Sequence, residues 1–218
     1  MRYAKWTMMT FLLVFAASVV WAQCSVTPTV QCSLPCPLPQ PACSVCSCPC
    51  PAAVPAAMGA GPAVGLDGLG CPDFDAAYAS RMYSQNSVII AVTQYGTQRV
   101  SNENLRDISS EINGYLTSAN GKLQAWYGVI ACTAAAPDCA RADAIIAELA
   151  ATPVNCFDAV YATTLSQLLR QSNAADSIAA TQAVTPPMRQ QAQFLAGKEA
   201  NWSMRLDRWV SANGATTR

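Results

Sequence analysis

Four cysteines stand close together in Cys43-x-x-Cys46-x-Cys48-x-Cys50, and four more, Cys71, Cys132, Cys139 and Cys156, lie further along the chain. Clustered thiolates are soft ligands that suit Cu(I), zinc or an iron–sulfur cluster. The C-x-C-x-C spacing departs from zinc knuckles, and prolines are interleaved. In an oxidising compartment such cysteines are read first as disulfides. Stapling, or cross-linking to a partner, is therefore the expectation, with Cys43, Cys46, Cys48 and Cys50 as metal candidates in the alternative. The total of eleven cysteines is odd, so at least one thiol stays free, binds something or pairs with another chain.

Histidine is missing from all 218 residues. Histidine-based zinc sites, a Ser-His-Asp triad, a Cys-His dyad and a histidine haem ligand are thereby excluded. Acid–base pairs have no compelling candidate: Glu103, Asp107 and Glu111 share a helical face beside Arg106 and read as solvated surface. No paired buried carboxylates are expected. Asn201-Trp202-Ser203 is a formal glycosylation sequon, but Trp202 falls on an apolar stripe. Trp126 and Trp209 read as core plugs. GAGPAVGLDGLG lacks the strand, helix and lysine of a phosphate loop and reads as a linker. Thirteen basic residues balance thirteen acidic ones, so nothing attracts nucleic acid. The expectation is a protein that is not an enzyme and needs no cofactor.

These residues must be positioned by the elements around them. Residues 1–22 carry Arg2 and Lys5 before an apolar run and end in Val20-Trp21-Ala22, as a signal peptide does. An uncleaved membrane anchor is the alternative; either way the rest of the chain is expected outside the cytoplasm. Residues 23–70 form a Cys/Pro-rich arm and a Gly/Ala/Pro linker, expected to be extended and to need a staple or a docking surface. From residue 71 the pattern becomes helical. Phe74, Tyr78, Met82, Gln85, Ile89 and Val92 make one stripe, and Leu105, Ile108, Ile112, Tyr115, Ala119, Leu123 and Trp126 a second. A short Ala-rich helix is expected near 140–151, within a connection spanning 132–155.

The chain then repeats itself. FDAAYA at 74–79 returns as FDAVYA at 157–162, and Arg106, Gly114, Leu123 and Trp126 return as Arg189, Gly197, Leu206 and Trp209, each 83 positions on. Thr185-Pro186 begins the last long helix as N-cap and first helical residue. Fixed-offset identity marks a duplicated hairpin, 71–131 and 156–218. Two hairpins with one apolar stripe each predict an all-α fold, a four-helix bundle. Asp75 and Asp158 are expected to favour the positive ends of the helices they begin.

MYSQNSVIIA on the first helix, LRDISSEI and LQAW on the second, and MRQQAQFLAGKEANWSMRLDRW in the repeat resemble the exported family called domain of unknown function 305. The resemblance covers about residues 73–128 and 156–211. It implies a ferritin-like helical bundle whose relatives place paired histidines, associated with copper or other metals, on the first helix. Those positions hold Gln85 and Asn86 in one hairpin and Leu168 and Leu169 in the other. Met82 alone survives as a soft ligand, so the resemblance implies a scaffold without its metal site. Gln85 lies opposite apolar Leu168 and reads as a hydrogen-bonded core amide.

An up-down-up-down bundle would gather Cys71, Cys132, Cys139 and Cys156 at one end. Two disulfides are then preferred among three pairings: Cys132–Cys139, contributing about 2–3 kcal/mol if unstrained, and Cys71–Cys156. The functional expectation is a structural, extracytoplasmic interaction protein, an accessory subunit docking on an envelope or membrane complex. An intermolecular disulfide is one route to that partner. The alternative is a copper-binding protein that uses the arm.

Overall fold

The computed structural model describes residues 55–66, 68–70 and 73–213. The signal or anchor segment and Cys43, Cys46, Cys48, Cys50 and Cys71 lie outside the described residues. Five α-helices follow a short 3-10 turn, Ala56–Met58: α1 Asp73–Thr97, α2 Glu103–Ala131, α3 Cys139–Ala150, α4 Phe157–Gln182 and α5 Pro186–Asn213. No strand occurs among the described residues, and no helix there is long and apolar enough to cross a membrane.

Local chemistry sets the helix ends. Asn102 caps α2 by accepting from the Leu105 N–H at 3.2 Å, and Asp138 caps α3 by accepting from Arg141 N–H at 3.1 Å. α2 ends on Cys132, which adopts the left-handed conformation with φ 52°. Pro186 occupies the first position of α5, where its missing N–H is not needed.

The two hairpins, α1–α2 and α4–α5, are all-α duplicates in the expected register. Phe74, Tyr78, Met82 and Gln85 are buried, as are Phe157, Tyr161, Leu165 and Leu168 at the 83-residue offset. Leu105, Ile112, Leu116 and Leu123 match buried Met188, Leu195, Glu199 and Leu206. Trp126 and Trp209 are partly buried against the core. Within each hairpin one side-chain contact recurs with its donor moved to the other helix. Asn113 Nδ2 donates to the Ile90 carbonyl at 3.3 Å, whereas Asn173 Nδ2 donates to the Ala196 carbonyl at 2.6 Å.

The second hairpin does not lie in the up-down-up-down sense on which the cysteine grouping depended. Tyr78 meets Asp176 and Gln85 meets Leu168, so residues later in α1 face residues earlier in α4 and the two helices are antiparallel. The bundle therefore runs up-down-down-up, with α3 carrying the single crossover along α1. A pseudo-two-fold axis crosses the bundle where counterpart residues touch. Gln85 donates to Leu168 O at 3.1 Å on one side, and Lys198 Nζ sits 4.4 Å from the ring centre of Tyr115 on the other.

Several expectations change with this topology. α4 begins at the opposite end from the start of α1 and the finish of α2, so Cys156 is remote from Cys132; the Cys71–Cys156 pairing lies outside the described residues. Cys132 and Cys139 are exposed and not joined to each other. Cys156 is buried and is not a free thiol. Tyr115 is exposed rather than part of the core stripe. Glu111 is not simply solvated: it bridges to Arg205 at 2.6 Å and Lys198 at 3.8 Å, joining α2 to α5.

The linker, expected to be extended and to need a staple or a docking surface, docks on the bundle over residues 55–66. Met58 packs into the larger apolar cluster with Val88, Ile145 and Leu168, and Leu66 is fully buried with Phe74 and Met82 in the smaller one. Ala57 N–H donates to Glu148 Oε1 at 3.1 Å. Gln171 Nε2 donates to Gly59 O at 3.2 Å, and Arg81 donates to Val64 O. Residues 55–66 thus belong to the packed unit, N-terminal to the boundary expected at 70.

Candidate functional site

Gln85, Asn86, Leu168 and Leu169, with Met82, lie inside the bundle. Gln85 is buried on the two-fold axis. Its Nε2 donates to Leu168 O, and its Oε1 accepts from Arg141 Nη1 at 2.7 Å. The amide is hydrogen-bonded at both ends, as read from the stripe. Leu168 and Leu169 are fully buried apolar residues. Asn86 is equally buried, yet both ends of its amide lack a protein partner. Met82 packs in the apolar cluster of Phe74, Tyr78, Leu123 and Met188. Of these five side chains only Met82 offers a soft donor, so they do not form a copper site.

A second group of residues, not singled out from sequence, carries more chemistry. Tyr78 of α1 donates its hydroxyl to Asp176 Oδ1 of α4 at 2.6 Å. Glu199 of α5 is close enough to Asp176 for the two carboxyls to interact electrostatically, although neither Glu199 oxygen has a hydrogen-bond partner. All three side chains have no solvent-exposed surface. The expectation of no paired buried carboxylates is thus overturned. Desolvation disfavours the charged forms, so burial pushes Asp176 up to about 7 and Glu199 well above the usual carboxylate range. Burial and the neighbouring Asp176 raise Tyr78 well above the ordinary phenol. At neutral pH the group holds at least one proton between its two carboxyls.

The duplicate explains how this group arises. At the offset of 83 residues Tyr161 corresponds to Tyr78, and Thr93 and Leu116 correspond to Asp176 and Glu199; the Tyr161 hydroxyl shares a 2.7 Å hydrogen bond with Ser109. The same frame thus supports a neutral contact on one side and an acidic one on the other. Periodicity alone places residues 176 and 199 on inward faces; an alignment of the second hairpin upon the first would have shown two acids replacing Thr93 and Leu116.

Asp176, Glu199 and Tyr78 supply three oxygen donors, but no group of three or more His, Cys, Asp or Glu side chains capable of holding a metal occurs among the described residues. Ser172 Oγ, Asp176 Oδ2 and both Glu199 oxygens are buried without a hydrogen-bond partner. Without an opening to solvent, the arrangement can hold and exchange a proton and rigidify the junction of α1, α4 and α5.

No protein family, curated protein or solved structure matches this chain.

Proposed function

We propose that this chain is a non-enzymatic extracytoplasmic interaction protein, an accessory subunit that docks on an envelope or membrane complex through its bundle and its Cys/Pro-rich arm. The observation that carries the reading is an aromatic and cationic cluster on the α2–α5 face. Tyr115 and Phe194 are 40 % and 49 % exposed, with their ring centres 6.1 Å apart. Lys198 lies over both rings, 4.4 Å from Tyr115 and 6.0 Å from Phe194. Exposed aromatics around a cation are the kind of anchor that protein interfaces use.

The ionisable core group supports the same reading, because a reactant has no access to side chains without exposed surface. It serves the frame that holds the α2–α5 face rigid. The apolar run of residues 1–22 supports export, and the odd cysteine supplies one route to a covalent link with the partner.

A photocrosslinking residue placed at Phe194 in the native envelope should capture a membrane or envelope protein. The same residue at exposed Gln182 should not. Equal capture at both positions, or none at Phe194, would remove the α2–α5 face as the docking surface. Non-reducing electrophoresis of the captured material tests the covalent route.

A further inference from the structure

Arg81 and Arg141 line a solvent-open pocket of about 390 Å³ between the 60–64 segment, α1 and the start of α3. Ser80 and Ser84, one turn apart on α1, share its wall with Gln85 and Asp138. The protein gives both guanidinium groups only neutral hydrogen-bond partners. Arg81 donates to the Val64 carbonyl, and Arg141 donates to Gln85 Oε1 at 2.7 Å and Gln171 Oε1 at 2.8 Å. Arg141 Nε is buried with no partner. Neither arginine enters any salt bridge among the described residues. Asp138 is the one acid in the wall, and its Oδ1 is committed to the Arg141 backbone N–H as the α3 cap.

A half-buried cation that shares a single acid with a second cation is incompletely compensated, and the chain as a whole has equal numbers of acidic and basic residues. Two cations against one acid leave the pocket net positive. Guanidinium forks match the planar geometry of carboxylate and the tetrahedral oxygens of phosphate, and serine hydroxyls add neutral donors. We propose that this pocket binds a small ligand through an oxyanionic group, carboxylate or phosphate, seated between Arg81 and Arg141. The ligand adds counter-charge to that of Asp138, the one acid in the pocket wall. The site is independent of the α2–α5 face and of any docking partner.

The test is calorimetric titration of the full chain at low ionic strength, with succinate in one arm and inorganic phosphate in the other. Saturable binding is expected in at least one arm, and the arm that saturates identifies the oxyanion. Losing a charge-assisted hydrogen bond should weaken binding about 10- to 100-fold in Arg81→Gln and in Arg141→Gln. Arg141→Lys, which keeps the charge but loses the fork, should fall between. Arg99→Gln, whose cation stacks on Tyr95 outside the pocket, should bind as the parent does. Should Arg141→Gln lose helical signal, Arg81→Gln carries the test alone, because its arginine bonds only the linker. The proposal is overturned if neither probe saturates below about 10 mM, or if Arg81→Gln binds as tightly as the parent.

Discussion

Asp75 and Asp158, counterparts in the two repeats, each cap the other's hairpin. Asp75 accepts from the backbone N–H groups of Val184 and Thr185 at 2.9 and 2.8 Å, where α5 begins. Asp158 accepts from Ser101 and Asn102, both at 3.1 Å, where α2 begins. The two pairs of donors are themselves 83 residues apart, so the exchange follows the pseudo-two-fold axis. This differs from the service to their own helix dipoles that the first-turn position implies. It also answers why FDA-x-YA occurs twice: each copy supplies the acid that satisfies orphan donors in the other half. Arg106 and Arg189 brace the same two loops, donating to Val100 O and Ala183 O.

Replacing Asp75 by Ala should therefore destabilise the bundle by about 1–2 kcal/mol, the cost of a lost cap. Asp158→Ala should cost a similar amount, and the double variant should be close to additive, since the caps sit at opposite ends. Urea denaturation of the three variants measures this. Strong non-additivity would mean that the two halves do not act as independent clasps.

The core carboxyl group predicts an unusual pH dependence. Asp176 and Glu199 have folded-state pKa values raised above their unfolded values, so the native state binds more protons than the unfolded one. Their contribution is present in full below about pH 4 and is lost as pH rises through about 7 and beyond, by up to about 1.4 kcal/mol per pH unit for each proton. Glu111, lowered chiefly by its hydrogen bond from Arg205, acts oppositely but only in the more acidic range. Between pH 5 and 8 stability should fall as pH rises. Glu199→Gln, which leaves one titrating carboxyl in the group, should flatten that fall. Denaturant midpoints at pH 5, 6.5 and 8 check the sign, and a flat parent profile would contradict it.

Gly96 is a position where one methyl group should be felt strongly. A Cβ there would lie 2.1 Å from the Tyr161 ring, which is itself fully buried. A rigid aromatic in a closed core has nowhere to move, so Gly96→Ala should cost about 1–3 kcal/mol through overpacking. Ala179, the counterpart, already carries that methyl group. Gly96→Ala combined with Tyr161→Leu should recover part of the loss, measured by thermal melting.

Limited proteolysis should leave a core that retains residues 55–66. Met58 and Leu66 are buried, and Ala57, Gly59 and Val64 are hydrogen-bonded to α3, α4 and α1. Mass spectrometry of the resistant fragment should place its N-terminus at or before Pro55, rather than near Cys71. Met58→Ala should expose this segment to cleavage and cost about 2–5 kcal/mol if its cavity stays open.

Sequence by itself determined the helices, the proline start of α5 and the duplication, because these depend on spacing along one chain. A stripe of apolar residues at intervals of three and four names the buried face of a helix whatever it packs against, and an 83-residue offset survives any arrangement of the two copies. It also placed Gln85 and Trp202 inside. What it left open was the direction in which the second hairpin lies on the first, since an apolar stripe has no sense of up or down. Tertiary structure decided that. Turning α4 antiparallel to α1 separates Cys156 from Cys132, brings Asp75 to Val184 and Thr185, and closes Tyr78 over Asp176. The acidic pair at Asp176 and Glu199 comes from two helices and from positions that are apolar or neutral in the other copy. Its burial is a property of the packed bundle, where desolvation raises the pKa values of both carboxyls.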